Sequence, residues 1–333
     1  MVCYVPLLFS GEFMRWQGKM PLKVTIFIIL ALFFSFGWPM FYKNDGRKMI
    51  DLEKRASEET VVKRKMDEKA LKFGFAPRLD PIEEAKIYIP FLRYLEKETG
   101  YKFEIRFTKS SEDVVDNFGK GTVDFAAIGP VNSVKAKEKY GAVCLVRGLN
   151  AQGKAEYRSA IIAWLDGDIK KIEDIHDKSF AFGDENSTQG HLIPRTMLFD
   201  VGITLNDLRK YTYAGSHQKC AELVISKAYR AGGIQDTLAK SLEKKGLIKI
   251  IAMSNYYPSS GISANKDVGP KVIEVVKEAL LKFDPTGRDK EGLYHWEKTE
   301  MAGGFTEYHD SDYDVIRKAM LRLGLLPEVE EQP

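Results

Sequence analysis

Apolar and polar positions along the chain alternate between two periods. Short apolar runs at Leu71–Ala76 (LKFGFA), Phe103–Thr108 (FEIRFT) and Val123–Ile128 (VDFAAI) read as strands, the last closed by Gly129-Pro130. Between the first two, the stretch from Pro81 to Gly100 repeats at helical spacing and puts Ile87, Phe91, Leu92 and Leu95 on one face. Asp113–Phe118 adds a short helix. A second series starts with the apolar strand Arg158–Trp164, then a helix IEDIHD, a strand SFAFGD and a helix from about Gln189 to Val201. The segment Tyr211–Ala214, a helix Gln218–Ser226, the run AGGI, a helix Asp236–Lys245 and a strand Ile248–Ser254 continue it. A long helix, Pro270–Phe283, and a terminal one, Ser311–Leu325, end the chain. Strands alternating with helices predict βαβ units, mostly parallel sheets and an α/β architecture. The two series predict two α/β lobes, with the chain crossing between them near 150–160 and again near 252–262.

Upstream of this body the pattern changes twice. Val24–Tyr42 is a charge-free run of 19 residues preceded by Lys19 and Lys23, long enough to cross a bilayer. Two readings stay open for it: a cleaved signal peptide, with a small-x-small site at Ser35-Phe36-Gly37, or an uncleaved membrane anchor. Met20 is an alternative start. From Lys43 to about Lys72 charges alternate with few large apolar residues, as in a solvated stalk or linker. The expected organisation is therefore residues 1–42 as signal or anchor, 43–70 as linker, 71–156 as the first part of lobe 1, 157–252 as lobe 2, and 253–333 as a return to lobe 1 with terminal helices.

Charge narrows the function. The chain of 333 residues carries a formal +3, and Arg15, Lys19 and Lys23 against Glu12 leave only +1 for residues 43–333. Nucleic-acid binding normally needs a strongly basic face, so no nucleic-acid partner is expected. Cys3, Cys144 and Cys220 have neither CxxC spacing nor a histidine at ligand spacing, and predict no metal site; a Cys144–Cys220 disulfide and buried free thiols both remain open. Phosphate-loop, nucleophile-elbow, HExxH and dinucleotide motifs are missing, so no cofactor and no enzyme chemistry are expected. The five histidines, His176, His191, His217, His295 and His309, are scattered.

Three polar turns fall where a two-lobed α/β protein places a ligand, at the carboxyl ends of strands. Ser187, Thr188, Gln189 and Gly190 open a helix, whose unpaired N–H groups and positive dipole end suit an oxyanion, although the same residues serve as an ordinary cap. AGSHQ, Ala214–Gln218, is a second small-residue turn before a helix, with His217 as donor. AEYRS, Ala155–Ser159, contributes the Tyr157 phenol near a crossover.

The segments FGFAPRLDP, PFLRYLEKETG, GTVDFAAIGP, EYRSAII, FGDENSTQGHLIP, YAGSHQKCAELVI and AGGIQDTLAKSL occur in an order and spacing that resembles the PhnD-like periplasmic phosphate-, phosphite- and phosphonate-binding proteins of ABC transporters. The resemblance covers about residues 70–325. It implies a type II periplasmic-binding fold closing over a small oxyanion held mainly by neutral donors. By resemblance Ser187 and Thr188 match the ligand-gripping hydroxyls, Gln189 stands where a second Ser is usual, and Gly190 matches the helix-start glycine. His217 matches the oxyanion-bonding histidine and Tyr157 the crossover tyrosine. Ser111 replaces a frequent tyrosine, Arg230 replaces a frequent aspartate, and with Arg78 these make the remaining candidate ligand residues. The expected role is capture of a phosphate-like oxyanion outside the cytoplasm for an ABC permease. The alternative is a membrane-anchored sensing subunit using the same module and a membrane sensor partner.

Overall fold

The computed structural model describes residues 70–75, 81–108 and 114–327, all within one compact unit that spans 61–333. The apolar run 24–42, nearly all of the charged linker, Arg78 and Ser111 lie outside the described residues. Among the described residues no helix is long and apolar enough to cross a membrane.

Strands β1 (Leu71–Phe75), β2 (Phe103–Phe107), β3 (Phe125–Ile128) and β4 (Val143–Gly148) alternate with helices α1 (Pro81–Thr99), α2 (Asp116–Gly119) and α3 (Pro130–Tyr140). The short strand β5 (Glu156–Tyr157) leads to β6 (Ser159–Trp164), β7 (Ser179–Phe182), α4 (Ile193–Asp200), β8 (Lys210–Tyr213), α5 (His217–Ile225), β9 (Ala231–Gln235), α6 (Asp236–Lys244) and β10 (Ile248–Met253). The chain returns through β11 (Tyr257–Pro258) into β12 (Gly261–Ala264), α7 (Pro270–Lys282), β13 (Phe305–Glu307) and α8 (Asp314–Arg322).

Two sheets result, one six-stranded in the order β13-β4-β12-β3-β1-β2 and one five-stranded in the order β10-β6-β9-β7-β8. They are the cores of two α/β lobes. A two-stranded ribbon of β5 and β11, pairing Tyr157 with Tyr257 and Glu156 with Pro258, runs through both crossovers. The expected mostly parallel sheets are in fact mixed. Strands β1, β2 and β3 are mutually parallel, as are β7, β8 and β9. By contrast β6 is antiparallel to β9 and β10, and β12 to β3 and β4. The cause is the crossovers: β6 and β12 each enter their lobe from the hinge and run away from it, whereas most other strands run towards it.

Several elements escaped the periodicity. The helix α3 and strand β4 follow Gly129-Pro130 without a pattern of their own, and β9 is the unassigned AGGI run, now a buried central strand. Glycine at 233 is a packing requirement, since a Cβ there would run into the Pro194 ring of α4. The IEDIHD helix is a single 3-10 turn, Ile172–Ile175, and the terminal helix starts with another, Asp310–Tyr313.

The apolar face read on α1 is the buried one: Ile87, Phe91, Leu92 and Leu95 are each 5% exposed or less. Phe91 stacks on Trp296 at 4.9 Å and meets Phe283 edge-on at 5.2 Å, tying α1 to the last part of the chain. Burying such a ring contributes about 2–3 kcal/mol, so residues beyond the second crossover are part of the first lobe's core. Cys144 in β4 and Cys220 in α5 are both free and buried, which resolves the disulfide alternative. Burial pushes their thiols up, to about 11 and about 12.

Candidate functional site

The site is built on the loop that leaves β7. Gly183 N–H donates to Gly190 O at 2.7 Å and folds the loop back on itself. Ser187 has extended backbone and its Oγ accepts from Gly190 N–H at 2.8 Å, an N-cap as its residue type suggests. The turn that follows, Thr188–Leu192, is a π turn: the N–H groups of His191 and Leu192 both reach Ser187 O, at 3.1 and 3.0 Å. Such widened turns recur at functional sites. Glycine relieves a tight contact at 190, where a Cβ would sit 3.0 Å from Gly183 Cα and 3.1 Å from His217 Cε1.

Thr188 carries the loop across the cleft. Its Oγ1 accepts from Val131 N–H at 3.0 Å, and Val131 is the second residue of α3 in the opposite lobe. Lys135 of the same helix donates to Asn186 Oδ1 at 2.7 Å. Two helix starts, one from each lobe, therefore face each other, and the first amides of each lack an acceptor in a preceding turn. Because the Thr188 oxygen accepts from Val131, its own proton is available to a third group.

The turn before α5 supplies the neighbouring wall. Ser216 Oγ caps the helix by accepting from Lys219 N–H at 3.1 Å. His217 Nδ1 accepts from Gln235 N–H at 3.3 Å, which assigns the ring proton of the neutral form to Nε2. His217 and Gln235 line a cavity of about 50 Å³ together with Glu84, Tyr88, Lys298 and Glu300 from the other lobe. About 10–15 Å³ of such space holds one water, so the cavity suits a small ligand. Ser260, at the second crossover, donates to Glu300 Oε2.

The expected site residues divide into three groups. Ser187, Thr188, Gly190 and His217 come together, with Gly190 packed against the His217 ring. Gln189 belongs to the same turn, but its side chain is turned away: it is 4% exposed and Nε2 donates to Arg158 O at 2.9 Å. Tyr157 lies in the hinge ribbon, one residue from that carbonyl. Arg230 is elsewhere. It precedes β9 at the amino end of that strand, away from Gln235 at the carboxyl end, and it pairs with Asp168 while lying 4.2 Å above Trp164. Of the histidines, His191 is sealed in the second lobe at 1% exposure. Its Nδ1 contacts Glu185 O at 2.6 Å and its Nε2 faces Tyr213 Oη at 3.3 Å. Burial holds His191 far below its ordinary range, at about 4. The α3 start and the wall of Glu84, Gln235 and Glu300 were not expected from the sequence. The first had a signal, a Gly-Pro pair closing a strand, since proline favours the first helical position.

Residues 73–313 match the family described as ABC transporter, phosphonate, periplasmic substrate-binding protein. The chain belongs to this family. It is thus a solute-binding protein that serves an ABC transporter outside the cytoplasmic membrane and captures a phosphate-like oxyanion between its lobes. The phosphate-import protein PhnD of Mycolicibacterium smegmatis is 28% identical over 256 residues, 69% of this chain and 78% of that protein. The phosphonates-binding periplasmic protein of Escherichia coli is 24% identical over 232 residues, 67% of this chain and 69% of that one. In fold, the chain resembles PhnD1 of Prochlorococcus marinus, solved with methylphosphonate, at a TM-score of 0.68 and 19% identity, over 78% of this chain and 99% of that chain. The sensory alternative draws no support from these relatives.

Proposed function

We propose that the oxyanion is phosphate, phosphite or a small phosphonate, and that it is held where the start of the Ser187–Gly190 turn meets the start of α3. The observation that carries this reading is the Thr188–Val131 bond, because it brings helix-start amides from both lobes to one point. Thr188 Oγ1–H and His217 Nε2–H would add side-chain donors, and Tyr157 a phenol from the hinge side. Closure over the ligand excludes water and strengthens each of these bonds. Glu84 and Glu300 line, as acceptors, the cavity that His217 also lines. They favour a ligand that still carries a proton over fully deprotonated sulfate. Residues 71–156 and 253–333 form the first lobe in this reading and 157–252 the second, with ABC permease subunits as partners. An apolar anchor at 24–42 would keep the receptor at the membrane. Calorimetric titration with phosphate, phosphite, methylphosphonate and sulfate tests the ligand: binding of at least one phosphorus oxyanion well ahead of sulfate is expected. Equal or stronger sulfate binding would refute the assignment.

A further inference from the structure

We infer that Gln189 is a positioning residue that ties the anion-binding turn to both crossover segments, so that occupancy of the turn and closure of the hinge are one event. The inference rests on the anion site proposed above, since it concerns what the same turn does when filled.

Gln189 is bonded to the hinge at two points. Its side-chain Nε2 donates to Arg158 O at 2.9 Å, and its backbone O accepts from Ser159 Oγ at 2.7 Å. The Ser159 hydroxyl shares its proton with Ile234 O at 3.1 Å, so the turn, the first crossover and β9 meet at one oxygen. From there the network passes to the second crossover. Arg158 Nε donates to Ser254 O at 2.7 Å, and its guanidinium lies 5.0 Å above the Tyr256 ring. Ser159 N–H donates to Ser254 Oγ at 2.9 Å, and Ser254 N–H returns to Ser159 O at 2.9 Å. Gln189, Ser159 and Ser254 are each 4% exposed or less, so water does not compete for these bonds.

A serine at 189 lacks the length to reach Arg158 O, and an ionised glutamate has the shape of glutamine but no donor. Both Gln189→Ser and Gln189→Glu should cut the side-chain link while keeping the turn. The experiment is hydrogen exchange on the full chain with and without inorganic phosphate, beside stopped-flow binding of the same probe. In the wild-type chain phosphate should slow exchange of both the 187–192 amides and those of Ser159 and Ser254. In both variants it should slow the first group only, with phosphate leaving about fivefold faster and arriving at an unchanged rate. Variants that keep wild-type protection at Ser159 and Ser254 overturn the inference. If phosphate and methylphosphonate both leave the 187–192 amides of the wild-type chain unchanged, it is the ligand reading that fails. The tie is then decided without ligand: faster exchange at Ser254 in Gln189→Glu supports it, and unchanged exchange refutes it.

Discussion

Two helix starts in the second lobe are made from the same parts. Each follows a strand of the parallel trio, each is capped by a serine that accepts from the amide three residues on, and each brings a histidine, His191 or His217. Their surroundings differ. The Ser187 turn is buried, bonded to the opposite lobe by Thr188 and to the hinge by Gln189, and its histidine is locked between Glu185 O and Tyr213 Oη. The Ser216 turn is half exposed, and its histidine has one nitrogen occupied by Gln235 N–H and the other directed to proton donation. Capping chemistry alone therefore does not tell a binding group from a structural one. What differs is the setting of the ring: His191 is sealed between Glu185 O and Tyr213 Oη, whereas His217 lines the cavity between the lobes.

The largest effect that tests this contrast is on stability at acid pH. His191 takes up a proton at about 4 when folded and at 6.5 when unfolded. Between these values the unfolded chain binds more protons, so the contribution is complete above pH 6.5 and is lost as pH falls towards 4. The full loss is about 3 kcal/mol, because each tenfold difference in proton affinity between the two states is worth about 1.4 kcal/mol. Arg195 and Lys135 oppose protonation in the same direction. Urea unfolding between pH 7 and 4 should show this fall, and His191→Gln should flatten it while leaving phosphate affinity at pH 7.5 intact. An unchanged slope in the variant would make His191 no more structural than His217.

Replacing His217 should give the opposite pattern. A hydrogen bond to a charged ligand is worth about 2 kcal/mol, so His217→Ala is expected to weaken phosphate binding about 30-fold. Its ligand-free melting temperature should stay near that of the parent chain. Calorimetry and thermal melting on the same sample separate the two results. A variant that binds as well as the parent would leave the Ser187 turn to hold the anion without its neighbour.

Thr188→Val removes the acceptor of Val131 N–H with little change of shape. A single buried bond of this kind is worth about 1 kcal/mol, read as a shift of the urea midpoint. Phosphate should weaken by a similar amount, because the lost hydroxyl is also a proposed donor. Stability lost with affinity kept would assign Thr188 to the cap of α3 alone.

How far the sequence revealed these features depends on where the information sits. The α1 face was legible because a long amphipathic helix repeats its signal many times, and Ile87, Phe91, Leu92 and Leu95 are all buried. β9 was not legible, since packing against α4 and α5 demands small residues in AGGIQ and erases the apolar pattern. Ser187 and His217 could be proposed because their residue types name their chemistry, and the fold brings their turns together. The direction of the Gln189 side chain could not: a partner 31 positions back in the chain, Arg158, decides it. Glu84 and Glu300 come from segments that only the folded first lobe brings to one wall.

Arg230 gives the smallest effect. By residue type it could serve as a charged fork for the anion or face solvent, and in the first case its removal would cost much of the affinity. In the fold it stands at the amino end of β9, 4.2 Å above Trp164 and paired with Asp168. The Ser187 and His217 turns follow the carboxyl ends of the neighbouring parallel strands β7 and β8. A strand of five residues spans about 17 Å at about 3.3 Å per residue, so the guanidinium at one end does not reach an anion at the other. Removing a partly exposed cation–π contact and a surface ion pair costs about 0.5–1 kcal/mol. Arg230→Ala should therefore lower the melting temperature slightly and leave phosphate affinity within about twofold of the parent. A tenfold loss of affinity would mean that the charge acts over the whole length of the lobe, and would return Arg230 to the site.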